Sequence, residues 1–529
     1  MSSADRAPRH ESALARTRAY ARSRAPTALG VSSALLVLLV IGLFVWTAGT
    51  NGVSIAPSDD AVVLRNDEIH PPLRHYGFYN LLSDALLAGQ LSLLIAPHPM
   101  HLALPDPYDP AQNAPWRLHD MSLYKGKYYL YFGVTPALIL FIPFRALGLG
   151  RLPEPLAVSI FCSGGFLFSV FLFRRLVRRY LPSTPSWLQL LGILCLGLCT
   201  TAPFLLRRPV VYEVAISCSY FLVMGGLYWL LTAYLADGPP WRLAMASLFL
   251  GLAVGARPNA IFAAPLIAIV WYLRLRSKPQ WRSQILPSLS LLGPYAICLF
   301  LLGLYNHLRF GSWLDFGNKD VLAGVSIRSI PMSTLANVLP GLYMYLLSPA
   351  ELSHRFPFFT LLSDNYPWTL PPGYLAPEKV GGAFTNIPVT IGILALPLIL
   401  LRARRRVSRE LLVIMCCLVG LGLVNVFFLS FLLPSASMRF GPDYLPLLLL
   451  SALLALCYLH EAVEAGWKRL AVSSFAIVTV AYGCLLNLGI GMTGYYNLFE
   501  SGSPATYRAI EQAFMPVSRV LGWLAGAAN

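Results

Sequence analysis

Two short stretches of an otherwise apolar chain gather acidic, basic and aromatic residues at spacings that could do chemistry. Leu104 to Pro110 sets Asp106 and Asp109 between prolines, the composition of a stiff turn. Downstream, Asp120 precedes a run that holds Lys125, Lys127, Tyr128 and Tyr129. A carboxylate held beside cations can act as a general base next to a clamp for an anion. The competing reading gives the aspartates to turn capping and the tyrosines to a membrane-interface belt.

Arginines from distant parts of the chain form the second candidate group. Arg207 and Arg208 precede Glu213, Arg257 precedes a proline, Arg309 lies in an Asn-His-Leu-Arg run, and Arg439 stands four residues before Asp443. A guanidinium donates two parallel hydrogen bonds and so suits phosphate. Each arginine alone could instead reach lipid headgroups or pair internally with Glu213 or Asp443. Together they favour a shared anionic ligand.

Histidines raise a metal alternative. His98 and His101 are three apart and His119 adjoins Asp120, but Pro97 and Pro99 disfavour a helix that would align the first two. No cofactor is required by any motif, and a carboxylate-bound Mg or Mn ion stays open. No Walker pattern occurs. The nine cysteines all lie in apolar stretches, which argues against a disulfide framework.

The elements that must position these residues follow from composition. Hydrophobic residues make up 56% of the 529 and charged residues 12%, against about 25% charged in an ordinary soluble domain. That balance cannot coat a water-soluble surface, so the expected fold is an all-α polytopic membrane protein. Apolar segments near 28–49, 155–173, 186–206, 210–235, 240–256, 259–273, 285–305, 386–401, 411–433, 442–459 and 470–490 give eleven spans. One helix through 240–273 would run to about 50 Å, too long for one crossing, so two short spans meet at Arg257, Pro258 and Asn259.

Dense basic clusters then share one side: the tail 1–27, Arg174 to Arg179, Arg274 to Arg282, Arg402 to Arg409, and Lys468 with Arg469. By the positive-inside rule that side is cytoplasmic, so the net charge of +16 is topological and calls for no nucleic acid. The reading places a basic tail at 1–27, a membrane domain at 28–490 with outer loops 50–154 and 306–385, and an extracytoplasmic segment at 491–529. Within the outer parts, 79–94, 134–150 and 505–524 are expected to lie along the membrane surface.

A surface helix running from Tyr79 to Leu91, "GKYYLYFG" (126–133), "ARPN" (256–259), "YNHLRFGS" (305–312) and "MRFGPDYLP" (438–446) together resemble GT-C-type membrane glycosyltransferases. The likeness is to bacterial members similar to the protein mannosyltransferase and aminoarabinose transferase group. It implies a polyprenyl-phosphate sugar as donor, an inverting transfer on the extracytoplasmic side of the inner membrane, and an acid of the first outer loop at the catalytic centre. Asp120 or Asp67 is then the base or a metal-linked acid, and Glu213 or Asp106 orders the site. Lys125, Lys127, Arg257, Arg309, Arg439 and Tyr128 would meet the donor and its phosphate. Members of the group place an acidic residue shortly after the first span, where this chain has Asp59, Asp60, Asp67 and Glu68. The acceptor is not specified. Competing classes are a surface-polysaccharide polymerase or ligase, a lipid or solute transporter, and an inactive scaffold.

Overall fold

The computed structural model describes residues 28–52, 77–235, 238–277, 280–361, 367–375, 378–402, 406–494 and 497–526. The chain is a helical membrane bundle. Among the described residues, nine helices are long and apolar enough to cross a membrane, and shorter apolar helices at Pro240–Ala256 and Pro388–Leu401 fill the two remaining expected spans. Four long elements frame the site: α1 (Ala28–Gly49), α3 (Glu154–Tyr180), α5 (Val211–Leu235) and α6 (Pro240–Ala256). Between α1 and α3 lies the short α2 (Phe78–Leu87), and between α3 and α5 lies α4 (Ser186–Leu198).

Apolar surface cannot drive helices together inside lipid, so the bundle closes through small residues and tight packing. α5 sets Tyr220 and Phe221 against Gly165 and Gly164 of α3, while Phe249 and Leu250 of α6 sit against Gly225 and Gly226 of α5. The next helices, α7 (Ala264–Ser277) and α8 (Trp281–Phe310), lie farther out. Leu286, Leu289, Ile297 and Phe300 of α8 stay exposed, as lipid-facing residues should.

The expected break between α6 and α7 is present and has a local cause. Arg257 adopts an extended conformation (φ −144°, ψ 123°), and Pro258 opens a 3-10 turn over Pro258–Ala263. Proline has no N–H to continue the ladder and pushes the preceding residue out of the helical region.

Two surface elements are shorter than expected. The helix anticipated over 79–94 ends at Leu87, because Gly89 takes a left-handed conformation (φ +77°) and Leu93 N–H then donates to the Tyr128 carbonyl. The element anticipated over 134–150 is a π turn at Ala137–Phe141 followed by one helical turn at Ile142–Ala146, closed by Gly148 at φ +71°. Asp59, Asp60, Asp67 and Glu68 lie outside the described residues.

Beyond α8 come α9 (Val338–Leu346), α10 (Arg406–Leu432), α11 (Leu445–Ala462), α12 (Trp467–Thr493) and α13 (Pro504–Leu524).

α2 is stapled to the chain that leads into α3. Its first backbone N–H groups, at Phe78 and Tyr79, meet the Glu154 carboxylate, which satisfies donors left open at a helix start. Asn80 donates to the Leu152 carbonyl (2.8 Å), Arg151 pairs with Asp84 (2.7 Å), and the Tyr79 hydroxyl donates to the Gly133 carbonyl (3.1 Å).

Gly133 marks the closest approach between this first loop and α6. A Cβ there would sit 2.1 Å from the Gly255 carbonyl oxygen and 2.4 Å from that of Ala256, both backbone atoms that cannot swing away. Gly133→Ala should therefore cost about 1–3 kcal/mol, read as a lower melting temperature in detergent. Gly420→Ala, whose Cβ would meet nothing within 4 Å, should leave the melting temperature unchanged or slightly raised.

Candidate active site

Asp120 sits at the foot of a hairpin formed by β1 (Ser122–Tyr124) and β2 (Lys127–Tyr129), registered Ser122 to Tyr129 and Tyr124 to Lys127. The connection has only Lys125 and Gly126, both at positive φ (48° and 71°), the conformation that two-residue hairpin loops favour. Asp120 itself is left-handed at φ 62°, a region aspartate enters more readily than most residues. What holds it there is the second outer loop. Asp120 N–H donates to the Leu322 carbonyl (2.8 Å), Leu322 N–H returns to the Met121 carbonyl (2.9 Å), and the Ser122 hydroxyl donates to the Gly317 carbonyl (2.9 Å). The two outer loops thus place one buried carboxylate together.

That carboxylate faces aromatic hydroxyls, which arginines approach in turn. Asp120 acts on both Tyr131 and Tyr212, and the two tyrosines are themselves in hydrogen-bond contact. Burial and the Asp120 charge push the Tyr131 hydroxyl above its ordinary value, against Tyr212, Arg439 and Arg257, which act the other way. Tyr131 therefore stays protonated at neutral pH and can donate. Arg439 lies over the Tyr212 ring at 4.2 Å and Arg257 over the Phe440 ring at 5.0 Å.

Each of these arginines has a carboxylate. Arg257 Nη2 meets Asp443 Oδ2 at 2.8 Å, and Asn259 also bonds Asp443 while donating to Asn425 (2.9 Å). Arg439 Nη2 meets Glu378 Oε1 at 2.8 Å, and the Ser437 hydroxyl donates to the other Glu378 oxygen (2.5 Å). The internal pair expected as an alternative for the arginines, with Glu213 or Asp443, takes another form at Arg439. Asp443 is already held by Arg257, and the residue that meets Arg439 comes from the second outer loop. Side-chain exposures of 16% for Arg257 and 12% for Arg439 leave both partly open to the outside of the cluster. The buried Arg257 Nε and Glu213 Oε1 have no hydrogen-bond partner among the described residues. Glu213 accepts from Val210 N–H through its other oxygen (3.3 Å) and lies in the field of Arg208, Arg439 and Glu378. Beside Asp443 opens a small cleft, lined by Ser219, Asn259, Asn425 and Asp443 on its polar side and by Met224 and Leu447 on its apolar side.

Of the residues singled out in the sequence, Asp120, Glu213, Arg257 and Arg439 come together. The others do not. Lys125 and Lys127 are exposed at the hairpin tip, with Lys125 Nζ 5.3 Å from the Tyr124 ring centre. Tyr128 points inward, its hydroxyl against His101 Nδ1 (3.2 Å), and burial pushes it up to about 12. Side chains alternate along a strand, so Tyr128 and its neighbours Lys127 and Tyr129 face opposite ways. Arg309 donates to the Leu130 carbonyl and the Asn306 side chain (2.8 Å each) and stacks on Tyr305 at 3.9 Å, so it braces the hairpin from behind. Arg207 likewise braces, donating to the Gly491 carbonyl (2.7 Å) and the Thr50 hydroxyl (2.8 Å). Asp106 and Asp109 close turns, accepting from the N–H groups of Tyr108 and Ala111 (2.9 Å each). Asp67 lies outside the described residues.

The histidines are occupied elsewhere. His98 stacks on Trp116 and accepts from Met100 N–H, and burial holds His101 below the ordinary histidine range. Among the described histidines, His119 approaches Asp120, at 3.7 Å. Among the described residues no group of three or more His, Cys, Asp or Glu side chains converges as a metal site.

Sequence reading missed Tyr131, Tyr212 and Glu378. Tyr131 lies inside the "GKYYLYFG" segment and Tyr212 adjoins Glu213, so position in the sequence was the available signal. Glu378 carried none: it stands in a Pro- and Gly-rich stretch with no partner nearby in sequence.

No protein-family model matches the sequence, and no curated protein matches it at significant similarity. Among solved structures the chain is similar to ArnT from Cupriavidus metallidurans bound to undecaprenyl phosphate, at 12% identity and a TM-score of 0.42, over 90% of this chain and 79% of that one. The apo state of the same protein gives 12% identity and a TM-score of 0.40, over 90% and 78%. The archaeal oligosaccharyltransferase AglB from Archaeoglobus fulgidus, in complex with an inhibitory peptide and a dolichol-phosphate, gives 14% and 0.42, over 87% of this chain and 56% of that chain. The chain thus spans little more than half the length of AglB. Similarity at these scores carries no conclusion about what this chain binds or does.

Proposed function

We propose that the protein is an integral membrane glycosyltransferase that moves a sugar from a polyprenyl-phosphate donor to an acceptor, with inversion, on the extracytoplasmic face of the inner membrane. In this reading the N-terminus is cytoplasmic and the C-terminus extracytoplasmic. The observation that carries it is the convergence of Asp120, Arg257 and Arg439 on Tyr131. One set of groups there can take a proton and another can meet an anion.

The reaction needs two events at one carbon. An acceptor hydroxyl attacks the anomeric carbon, forming a C–O bond as the bond to the phosphate oxygen breaks, so the configuration inverts. The acceptor proton passes to a first-loop carboxylate, and the developing charge stays on the lipid phosphate. Asp120 or Asp67 is the proton acceptor in this proposal. Arg257 and Arg439, with the Tyr131 hydroxyl, stabilise the departing phosphate. The Arg257 Nε left without a partner is a donor available to it. Glu213 holds the arginines in orientation through their mutual field.

Transfer of radiolabelled sugar from a polyprenyl-phosphate sugar by the purified protein in lipid tests this directly. Asp120→Asn or Asp67→Asn should lower kcat by about 10²–10⁴-fold, whichever is the base. Undiminished transfer in both single variants would remove the assignment. EDTA decides the metal question: transfer lost and restored by Mg or Mn would make a divalent ion part of the site.

A second comparison separates site arginines from braces. Arg257→Lys keeps the charge but loses the planar fork, and should lower kcat/KM by about tenfold or more with little change in melting temperature. Arg309→Lys should do the reverse, lowering melting temperature while the folded fraction keeps its kcat. Equal kinetic effects of the two would argue against a phosphate role for Arg257.

A further inference from the structure

α13 is an amphipathic helix whose apolar face is only partly covered. Ile510, Val517 and Leu524 recur at seven-residue intervals with Ala513 and Val520 beside them, while Arg508, Gln512 and Arg519 share the opposite side. One edge is packed: Phe356 stacks on Phe514 (5.6 Å) and meets Tyr507 (5.5 Å), and Phe499 meets Tyr507 from the other end. The rest is open, with Val520 58% and Leu524 66% exposed. The helix is long enough to cross a membrane, but it carries Arg508, Glu511 and Arg519 and is not among the helices apolar enough to do so.

Its position comes from what it leans on. The packed edge rests on the tip of a hairpin formed by β3 (Ala350–Leu352) and β4 (Phe359–Leu361). Where β4 leaves that tip, Phe359 packs against Gly489, near the end of the membrane helix α12, and meets the Tyr482 ring (6.3 Å) two turns further into it. α13 is therefore joined, through one hairpin, to the C-terminal half of a span.

We propose that α13 lies flat in the bilayer interface beside the end of α12, with Val517, Val520 and Leu524 in the acyl boundary and Arg508 and Arg519 among lipid headgroups. A helix of this amphipathicity buries its apolar face at the headgroup and acyl boundary, and cationic residues there favour anionic lipid. The occupant of the open face is lipid. By holding the β3 and β4 hairpin at the membrane plane, the helix also anchors the second outer loop, which supplies Glu378 and the Leu322 strap. The proposal stands independently of the transferase reading.

Tryptophan difference fluorescence on the full chain in nanodiscs tests it. Val517→Trp and Val520→Trp should each add emission that acyl-brominated lipid quenches several-fold more than aqueous iodide does. Gln512→Trp should add emission with the opposite preference. All three positions are exposed, and an unchanged melting temperature confirms that each variant is folded. Equal iodide quenching at 512, 517 and 520 would put the helix in water and overturn the proposal. Shielding of 517 and 520 from both quenchers, in particles holding two copies of the chain, would assign the face to a second protomer and overturn it as well.

Discussion

A guanidinium taken out of water at a helix end must be met by a carboxylate, a carbonyl or the face of a ring, because an uncompensated charge at such depth is too costly to keep. This constraint sorts the arginines. Arg309 is met by a carbonyl, an amide oxygen and two rings, and Arg207 by a carbonyl, a hydroxyl and the Phe499 ring. Their charges are consumed in holding elements together. Arg257 and Arg439 are met by one carboxylate each and by aromatic faces, and both stay partly open. Of these four arginines, the second pair keeps the more open contacts.

The same constraint explains why the outer loops are built together. A single aspartate on a short hairpin would be free to rotate away, but Asp120 is fixed through its backbone to Leu322, about two hundred residues later. Arg439 is fixed in turn by Glu378, which belongs to the same second loop as that strap. Base candidate and cations are thereby referenced to one segment, so a shift of either loop would disturb both. Preorganisation of this kind is what electrostatic stabilisation of a leaving group requires.

Breaks in regular structure do the positioning. Pro258 stops α6 so that Arg257 leaves the helix in an extended conformation and its side chain reaches Asp443. Gly133 lets the strand after the hairpin lie on the carbonyls that end α6, which brings Tyr131 beside that break. Lys125 and Gly126 turn the hairpin in two residues, and the strand alternation then sends Tyr128 into the interior.

Sequence alone determined what is local. Span positions follow from runs of apolar residues, and the break at Arg257 and Pro258 follows from the missing N–H of one proline, so both were legible. The amphipathic character of 505–524 was legible for the same reason. Tertiary structure alone decided the partners. Arg257 and Asp443 are 186 residues apart and Arg439 and Glu378 are 61 apart, and no periodicity links such pairs. Lys125, Lys127 and Tyr128 are equally plausible beside Asp120 on paper, and the hairpin sends two into solvent and one into the core. Burial and pairing are properties of a closed bundle, set by which helix ends meet, and a linear chain does not carry them.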